Sequence, residues 1–71
     1  MLKKDDFELI ITNDPSADYD LVAELYKKDK IIAFISSKAG ERKITWFKSD
    51  EDIVIPFDWF LDLLQEAKTR L

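Results

Sequence analysis

Three acidic residues in the last third of this 71-residue chain are spaced so that they could act together. Asp58, Asp62 and Glu66 follow one another at intervals of four, which places them in one line along a helix. Like charges at this spacing destabilise an isolated helix by a few tenths of a kcal/mol per pair, so we expect something to offset the cost. One explanation is a negative ridge that binds a basic partner. The other is a solvated face whose charge is offset by Arg70 and by the basic middle of the chain.

A second acidic group stands just before this segment, and a tryptophan lies within it. Asp50, Glu51 and Asp52 form a solvated loop, and Trp59 is expected at the edge of the buried helix face. A tryptophan that is partly buried and partly wet is a frequent interface anchor, and it is equally often a lid on a small core. The predicted partner-binding residues are Asp50, Glu51, Asp52, Asp58, Trp59, Asp62 and Glu66.

The residue types that most often carry catalysis or hold metals are missing from the sequence. There is no histidine and no cysteine, and Gly40 is the single glycine. Thiolate zinc sites and glycine-rich phosphate loops are therefore excluded, and the commonest general base is absent. We expect a protein that is not an enzyme and that uses no cofactor and no metal.

The net charge of −4 is distributed unevenly along the chain. Residues 1–26 carry two basic and seven acidic side chains (net −5), and residues 49–71 carry two basic and six acidic ones (net −4). Residues 27–48 between them carry seven basic and two acidic side chains (net +5). Such a pattern could steer a charged partner, or the blocks could neutralise one another in the folded chain.

The basic middle of the chain favours a different function, nucleic-acid binding. A strand over residues 42–48 would interleave cations with aromatic rings, as surfaces that stack bases do. Because strand side chains alternate, Trp46 and Phe47 must point to opposite faces, and one of them is expected in the core. The residues of this alternative nucleic-acid-binding site are Arg42, Lys43, Trp46 and Lys48.

A C-terminal helix must position the acidic ridge. Apolar residues recur at three- and four-residue steps from position 57 onward, which is typical of one buried helix face. Pro56 suits a first helical position, and Asp58 near the start with Lys68 and Arg70 near the end complement the helix dipole. The buried face is predicted to hold Phe57, Phe60, Leu61, Leu64 and Leu71.

Short apolar runs before the helix predict strands. Residues 7–12 read as a first strand with Phe7 directed to one face, and residues 31–35 and 42–48 as later ones. Residues 53–55 form either a last strand or an extended lead-in to the helix. Residues 1–6 are charged and expected to be frayed.

Residues 15–28 fit two structures. Their apolar positions match a helical stripe, whereas residues 21–26 also alternate as a strand that would pair with residues 31–35. Lys28-Asp29 lacks the chemistry of a tight hairpin turn, so the local sequence slightly favours the helix.

Three motifs carry a resemblance to a known group of proteins. They are Leu21-Val22-Ala23-Glu24-Leu25-Tyr26, Ile31-Ile32-Ala33-Phe34-Ile35-Ser36 and Pro56-Phe57-Asp58-Trp59-Phe60-Leu61. Over about residues 19–71 the chain resembles small immunity-type proteins of bacterial polymorphic toxin systems, departing from them at Lys28-Asp29, where they have an Asp-Gly-like pair. The resemblance implies strands at 21–26 and 31–36, a meander with the helix on one face, and a binding function.

We therefore predict an α+β fold in a single domain spanning residues 1–71. It consists of a small antiparallel β-meander of three to five strands with one C-terminal α-helix packed on one face. The alternative is a β-α-β-β-α arrangement with residues 15–28 helical. The predicted core residues are Leu9, Ile11, Val22, Ile32, Phe34, Ile44, Trp46, Phe60, Leu61 and Leu64.

The predicted function is that of a non-catalytic protein–protein binding module. We expect a small acidic inhibitor or immunity-type protein that occludes a basic surface of a protein partner, with nucleic-acid binding as the alternative. No run has the length of a membrane span and the first residues are not a signal peptide. The expected protein is thus soluble and cytoplasmic, makes no membrane contact, and could pair with a second copy through an exposed sheet edge.

Overall fold

The computed structural model describes residues 2–14 and 20–71, which form five strands and one helix. The strands build one antiparallel sheet in which each strand pairs with the next along the chain, and the helix follows. The elements are β1 (Leu2–Lys4), β2 (Phe7–Asp14), β3 (Asp20–Lys27), β4 (Lys30–Lys38), β5 (Glu41–Trp46) and α1 (Phe57–Arg70). The predicted α+β meander is confirmed.

Three of the hairpins close with two residues, and each turn uses a positive φ. Asp5 (φ 53°) and Lys28 (φ 57°) begin the turns after β1 and β3, and Ala39 (φ 54°) with Gly40 (φ 80°) forms the turn after β4. Only the Ala39–Gly40 turn has two consecutive positive φ angles, the combination whose twist matches that of the strands it joins. The Lys28 backbone N–H also donates a 2.7 Å hydrogen bond to the Asp6 carbonyl, which ties two turns together at one end of the sheet.

One face of the sheet is covered by α1 and forms the core. Leu9 lies opposite Leu25 and Ile11 opposite Ala23, so alternate residues of β2 and β3 meet on the covered face. The buried cluster consists of Phe7, Leu9, Ala23, Leu25, Ile32, Ala33 and Ile35 from the sheet and Trp59, Leu63 and Ala67 from the helix.

A bulge in β4 changes which residues face the helix. Leu25 pairs with Ala33, but the next residue, Tyr26, pairs with Ile31. Ile32 is therefore the extra residue, and both it and Ala33 are buried. An extra residue shifts the alternation of side chains by one position, and beyond it Ile35 faces the core while Phe34 does not.

The helix buries a different line of residues from the one predicted. Trp59, Leu63 and Ala67 are the buried positions of α1, whereas Phe57, Leu61 and Leu64 are exposed and Phe60 and Leu71 are partly buried. The apolar residues span a wider arc of the helix than the sheet can cover. The Trp59 ring packs against Phe7 at 5.7 Å between centroids, and the small Ala67 allows the helix to approach the sheet closely.

Backbone and side-chain hydrogen bonds hold both ends of α1. The Phe60 N–H donates to the Pro56 carbonyl at 3.0 Å, and the Leu71 N–H donates to the Ala67 carbonyl at 2.9 Å. Arg42 of β5 donates through Nη2 to the carbonyl oxygens of Lys68 at 3.0 Å and Leu71 at 3.4 Å. These are the carbonyls that a helix C-terminus leaves unsatisfied, so Arg42 caps the helix from the sheet.

Several finer predictions are corrected. Residues 2–4 are not frayed, because they pair with β2. The helical alternative is wrong for residues 20–28, which form β3 and its turn, while 15–19 lie outside the described residues. The last predicted strand ends at Trp46 rather than at 48, and residues 53–55 are a lead-in without strand structure. Of the predicted core, Leu9, Val22 and Ile32 are buried and Ile11, Phe34 and Phe60 partly so, whereas Ile44, Trp46, Leu61 and Leu64 are exposed.

Candidate partner-binding surface

The three carboxylates of α1 line one flank of the helix. Asp58, Asp62 and Glu66, which we call the acidic flank, each stand one position before a buried residue of the helix. The residues one position after the buried ones, Phe60 and Leu64, lie on the opposite flank. Phe60 contacts Trp46 of β5 at 6.0 Å between ring centroids, so the acidic flank lies on the side of the helix away from β5.

Most of the acidic flank is left without a cation. In the described part of the chain the only ion pair is between Glu66 and Arg70, with 3.3 Å between Oε1 and Nη1. Asp58 and Asp62 are exposed and make no salt bridge within 4 Å. Asp58 lies in the first helical turn, where the dipole favours a negative charge. The basic residues of positions 27–48 therefore do not neutralise this flank through direct pairs.

The acidic loop has a different environment. Asp50 and Glu51 line a cleft of about 500 Å³ whose other wall is the β3–β4 turn with Lys27, Lys28 and Lys30. Ser49 accepts the Glu51 backbone N–H at 3.2 Å, which shapes the loop. All three acidic residues of the loop, Asp50, Glu51 and Asp52, are exposed. The lysines across the cleft offset part of the negative charge of Asp50 and Glu51.

Trp59 does not lie where the sequence predicted. Its side chain belongs to the core, with 8% of its surface exposed, and its indole Nε1 is buried with no hydrogen-bond partner among the described residues. The prediction that it stands at the edge of the buried helix face is wrong, because the helix is turned so that Trp59 packs on Phe7. It stabilises the fold and offers no ring to a partner.

The residues of the alternative nucleic-acid site are not brought together. Arg42 and Trp46 lie on the helix side of β5, since one binds the carbonyls at the end of α1 and the other contacts Phe60. Lys43 points to the opposite face by strand alternation, and Lys48 lies beyond the strand. Phe47 packs against Phe34 on that opposite face. Trp46 and Phe47 do point to opposite faces, as predicted, but neither is buried.

A polar pair on the uncovered face of the sheet was not anticipated. The Tyr26 hydroxyl donates a 3.3 Å hydrogen bond to Oε1 of Glu24, two residues earlier on β3. Burial, the negative charge of Glu24 and this hydrogen bond together raise the pKa of Tyr26 above its ordinary value of 10.0. The i, i+2 spacing of the two residues in an alternating strand is the signal that could have indicated the pair.

The fold and this surface define the class of the chain as a small α+β protein. Comparison with protein-family models, with curated proteins and with solved structures finds no match to it. In residues 2–14 and 20–71 no three carboxylates are grouped so as to hold a metal ion. Nor does a helix of that part of the chain have the length and apolar character needed to cross a membrane.

Proposed function

We propose that this chain is a non-catalytic protein-binding module, a small acidic inhibitor or immunity-type protein that occludes a basic surface of its partner. The observation that carries the proposal is the acidic flank, where Asp58 and Asp62 are exposed and lack an ion pair. Unpaired carboxylates along a rigid helix can meet cations of a partner without first breaking contacts of their own. Charge complementarity of this kind speeds association and selects the partner.

The proposal places the partner surface on the acidic flank, with Asp50, Glu51 and Asp52 as a second contact. Trp59 is left out because it is buried. The basic partner would have to offer cations spaced along about two helical turns, since residues 58 to 66 rise about 12 Å. The lack of histidine and cysteine in the sequence supports a binding rather than a catalytic role. We also propose that the protein acts in the cytoplasm.

The test is a capture experiment with a charge-matched control. The full chain is immobilised as wild type, as Asp58→Lys/Asp62→Lys/Glu66→Lys, and as Asp6→Lys/Asp29→Lys/Glu41→Lys. The control replaces three other exposed acidic residues and changes the net charge equally. Each form is exposed to lysate of the native host before and after nuclease treatment, and the affinity for the protein captured by the wild type is then measured.

We expect a nuclease-resistant protein partner that the control triple binds like the wild type. The acidic-flank triple should bind it on the order of 100-fold more weakly, if each reversed charge costs about 1 kcal/mol. Equal binding by all three forms would remove the acidic flank from the interface. Recovery of nucleic acid, or of partners lost on nuclease treatment, would favour the basic segment instead.

A further inference from the structure

The strand β5 leaves one side of the sheet open. It is the last strand in the sheet order, all six of its residues are exposed, and it contains neither proline nor a bulge. In the part of the chain that is described, no strand pairs with its outer edge. An edge strand of this kind presents a row of free backbone N–H and C=O groups that can bind another strand.

Large apolar side chains stand beside this open edge. Ile44 and Trp46 of β5 are 38% and 47% exposed, and Phe57 and Leu64, on the β5-facing flank of α1, are 72% and 38% exposed. We call these four residues the apolar strip. A shallow groove of about 170 Å³ runs between Ile44 and Leu64. Clustered exposure of this size in so small a protein is typical of an interaction surface.

We propose that the occupant of this surface is a second copy of the same chain, joined by antiparallel pairing of β5 with β5 so that Ile44 lies opposite Ile44 of the other copy. The pairing would merge two five-stranded sheets into one of ten strands around a two-fold axis. Homodimers with such an axis are the commonest protein assemblies.

The hydrogen bonding of β5 supports this register. The Phe47 N–H donates to the Ile32 carbonyl of β4 at 2.9 Å, so by alternation the backbone groups of Arg42, Ile44 and Trp46 point outward. With Ile44 on the axis, Ile44 pairs with its equivalent and Arg42 pairs with Trp46. All three outward-pointing residues of both copies are then hydrogen bonded.

The side chains disfavour the registers centred on Arg42, Lys43 and Thr45. An axis through Lys43 would place two lysines directly opposite each other, in the closely spaced kind of pair. An axis through Thr45 would place Arg42 opposite Lys48, and an axis through Arg42 would pair Arg42 with itself. With Ile44 on the axis, the apolar Ile44 meets its own copy, while Arg42 and Trp46 keep their contacts with α1.

The area available is that of a small dimer interface. Taking about 200 Å² as the full surface of a large apolar side chain, the exposed fractions of the apolar strip leave at most about 400 Å² on each copy. Two copies together offer up to about 800 Å², to which the paired backbone of β5 adds, and this lies near the low end of the range for protein interfaces, about 1,000 Å².

The dimer would leave the acidic flank free. Both helices lie on the same face of the merged sheet with their β5-facing flanks toward the axis, so Asp58 and Asp62 point away from it. The inference therefore goes beyond the proposed function and would make the module bivalent. A monomeric chain that binds a basic partner through its acidic flank would overturn the dimer and leave the proposed function standing.

The first test is the mass of the full chain in solution. Light scattering and sedimentation equilibrium from about 1 µM to about 1 mM span the range of weak to moderate dimer affinities. For the wild type we expect a species of twice the 8.4 kDa chain mass. For Ile44→Lys, which places two positive charges on the two-fold axis, we expect a dimer affinity at least 100-fold lower. Val54→Lys is the matched control, because Val54 is 80% exposed and lies outside the apolar strip; it should dimerise like the wild type.

The second test reads the register. The chain has no cysteine, so a single introduced thiol can report its distance from its copy. Directly opposite residues in a hydrogen-bonded pair have Cα atoms about 5.5 Å apart, within reach of a disulfide. Under mild oxidation Ile44→Cys should cross-link, whereas Glu41→Cys, about 20 Å from its equivalent in this register, should not.

Some results would overturn the proposal. A chain of monomer mass at every concentration would do so, as would a dimer that Ile44→Lys leaves intact. Preferential cross-linking at position 41 would show a different register. Circular dichroism of each variant distinguishes loss of pairing from loss of fold.

Discussion

Replacing Leu63 or Leu64 by alanine tests which face of α1 packs on the sheet. Leu63 is 0% exposed and Leu64 is 38% exposed, although they are neighbours in the same helix and identical in chemistry. Leu63→Ala removes fully buried methyl groups and leaves a cavity, which costs about 3 to 5 kcal/mol. Leu64→Ala opens onto solvent and should cost about 1 kcal/mol, because water can occupy the space.

The difference is large compared with the stability of so small a domain. A core of this size supplies about 3 to 5 kcal/mol in total, so Leu63→Ala should be largely unfolded without denaturant while Leu64→Ala remains folded. Urea unfolding followed by tryptophan fluorescence measures both, since Trp59 is buried against Phe7. The variants are compared at the lowest usable concentration, where association through the apolar strip contributes least.

A second substitution tests the close approach of helix and sheet. Ala67 is 2% exposed in the core, so Ala67→Leu should overpack the site and cost about 1 to 3 kcal/mol. If Leu64→Ala proves as costly as Leu63→Ala, or if Ala67→Leu is neutral, the helix packs through its Phe57, Leu61 and Leu64 side and the described face is incorrect.

Two further predictions concern the β4–β5 turn and the Tyr26–Glu24 pair. Gly40→Ala should destabilise the fold by about 1 kcal/mol, because φ is +80° there; no atom lies within 4 Å of the added Cβ, so backbone strain is the whole cost. Ala39→Asn should stabilise the fold by about 0.5 kcal/mol, since asparagine tolerates positive φ. The urea midpoints of both variants check these values, and a stabilising Gly40→Ala would contradict them. Tyr19→Phe leaves Tyr26 as the only tyrosine, and absorbance titration of this variant should give a pKa above 10.0 for Tyr26. Adding Glu24→Gln should lower that pKa. Because the raised pKa favours the neutral phenol in the folded state, this stability is fully present below pH 10 and is lost as pH rises through the folded-state pKa. An unchanged pKa in Glu24→Gln would refute the contribution assigned to Glu24.

Much of the element order could be predicted from the sequence. The β-branched runs mark β2 and β4, and the three- and four-residue apolar spacing marks α1. The assignment of β3 depended on the family resemblance, because its apolar residues match helix and strand periods alike. The strand β1 was missed because its three residues, Leu-Lys-Lys, have no strand pattern of their own and are ordered by pairing with β2.

The packing could be predicted less well, for two physical reasons. Apolar residues occupy both faces of β3 and β4, so the sequence does not indicate which alternate set meets the helix, and the bulge at Ile32 shifts the set within β4. In α1 the apolar residues cover a wider arc than the buried line of Trp59, Leu63 and Ala67. The prediction took the centre of that arc as the side that contacts the sheet, whereas the sheet contacts its edge. The misplacement of Trp59 follows directly from this second error.

The candidate site was predicted in part. Asp58 and Asp62 are exposed, as the predicted helical ridge requires, and the ion pair of Glu66 with Arg70 is one that the i, i+4 spacing indicates. The lysines facing Asp50 could be found only from the three-dimensional structure. The helix-capping role of Arg42 depends on a contact between residues 26 positions apart. No local pattern could have indicated it.

The position of the covering helix after all five strands in the sequence limits the order in which the chain can fold. Neighbouring strands pair locally, so the hairpins can form while the chain is still being synthesised. Their apolar face, which includes Leu9, Leu25 and Ile35, stays open to water until α1 has been made and docks across it. The growing chain is therefore most prone to aggregate in the interval between completion of β5 and arrival of the helix, when a nascent sheet with an uncovered face and a free edge is accessible to other chains.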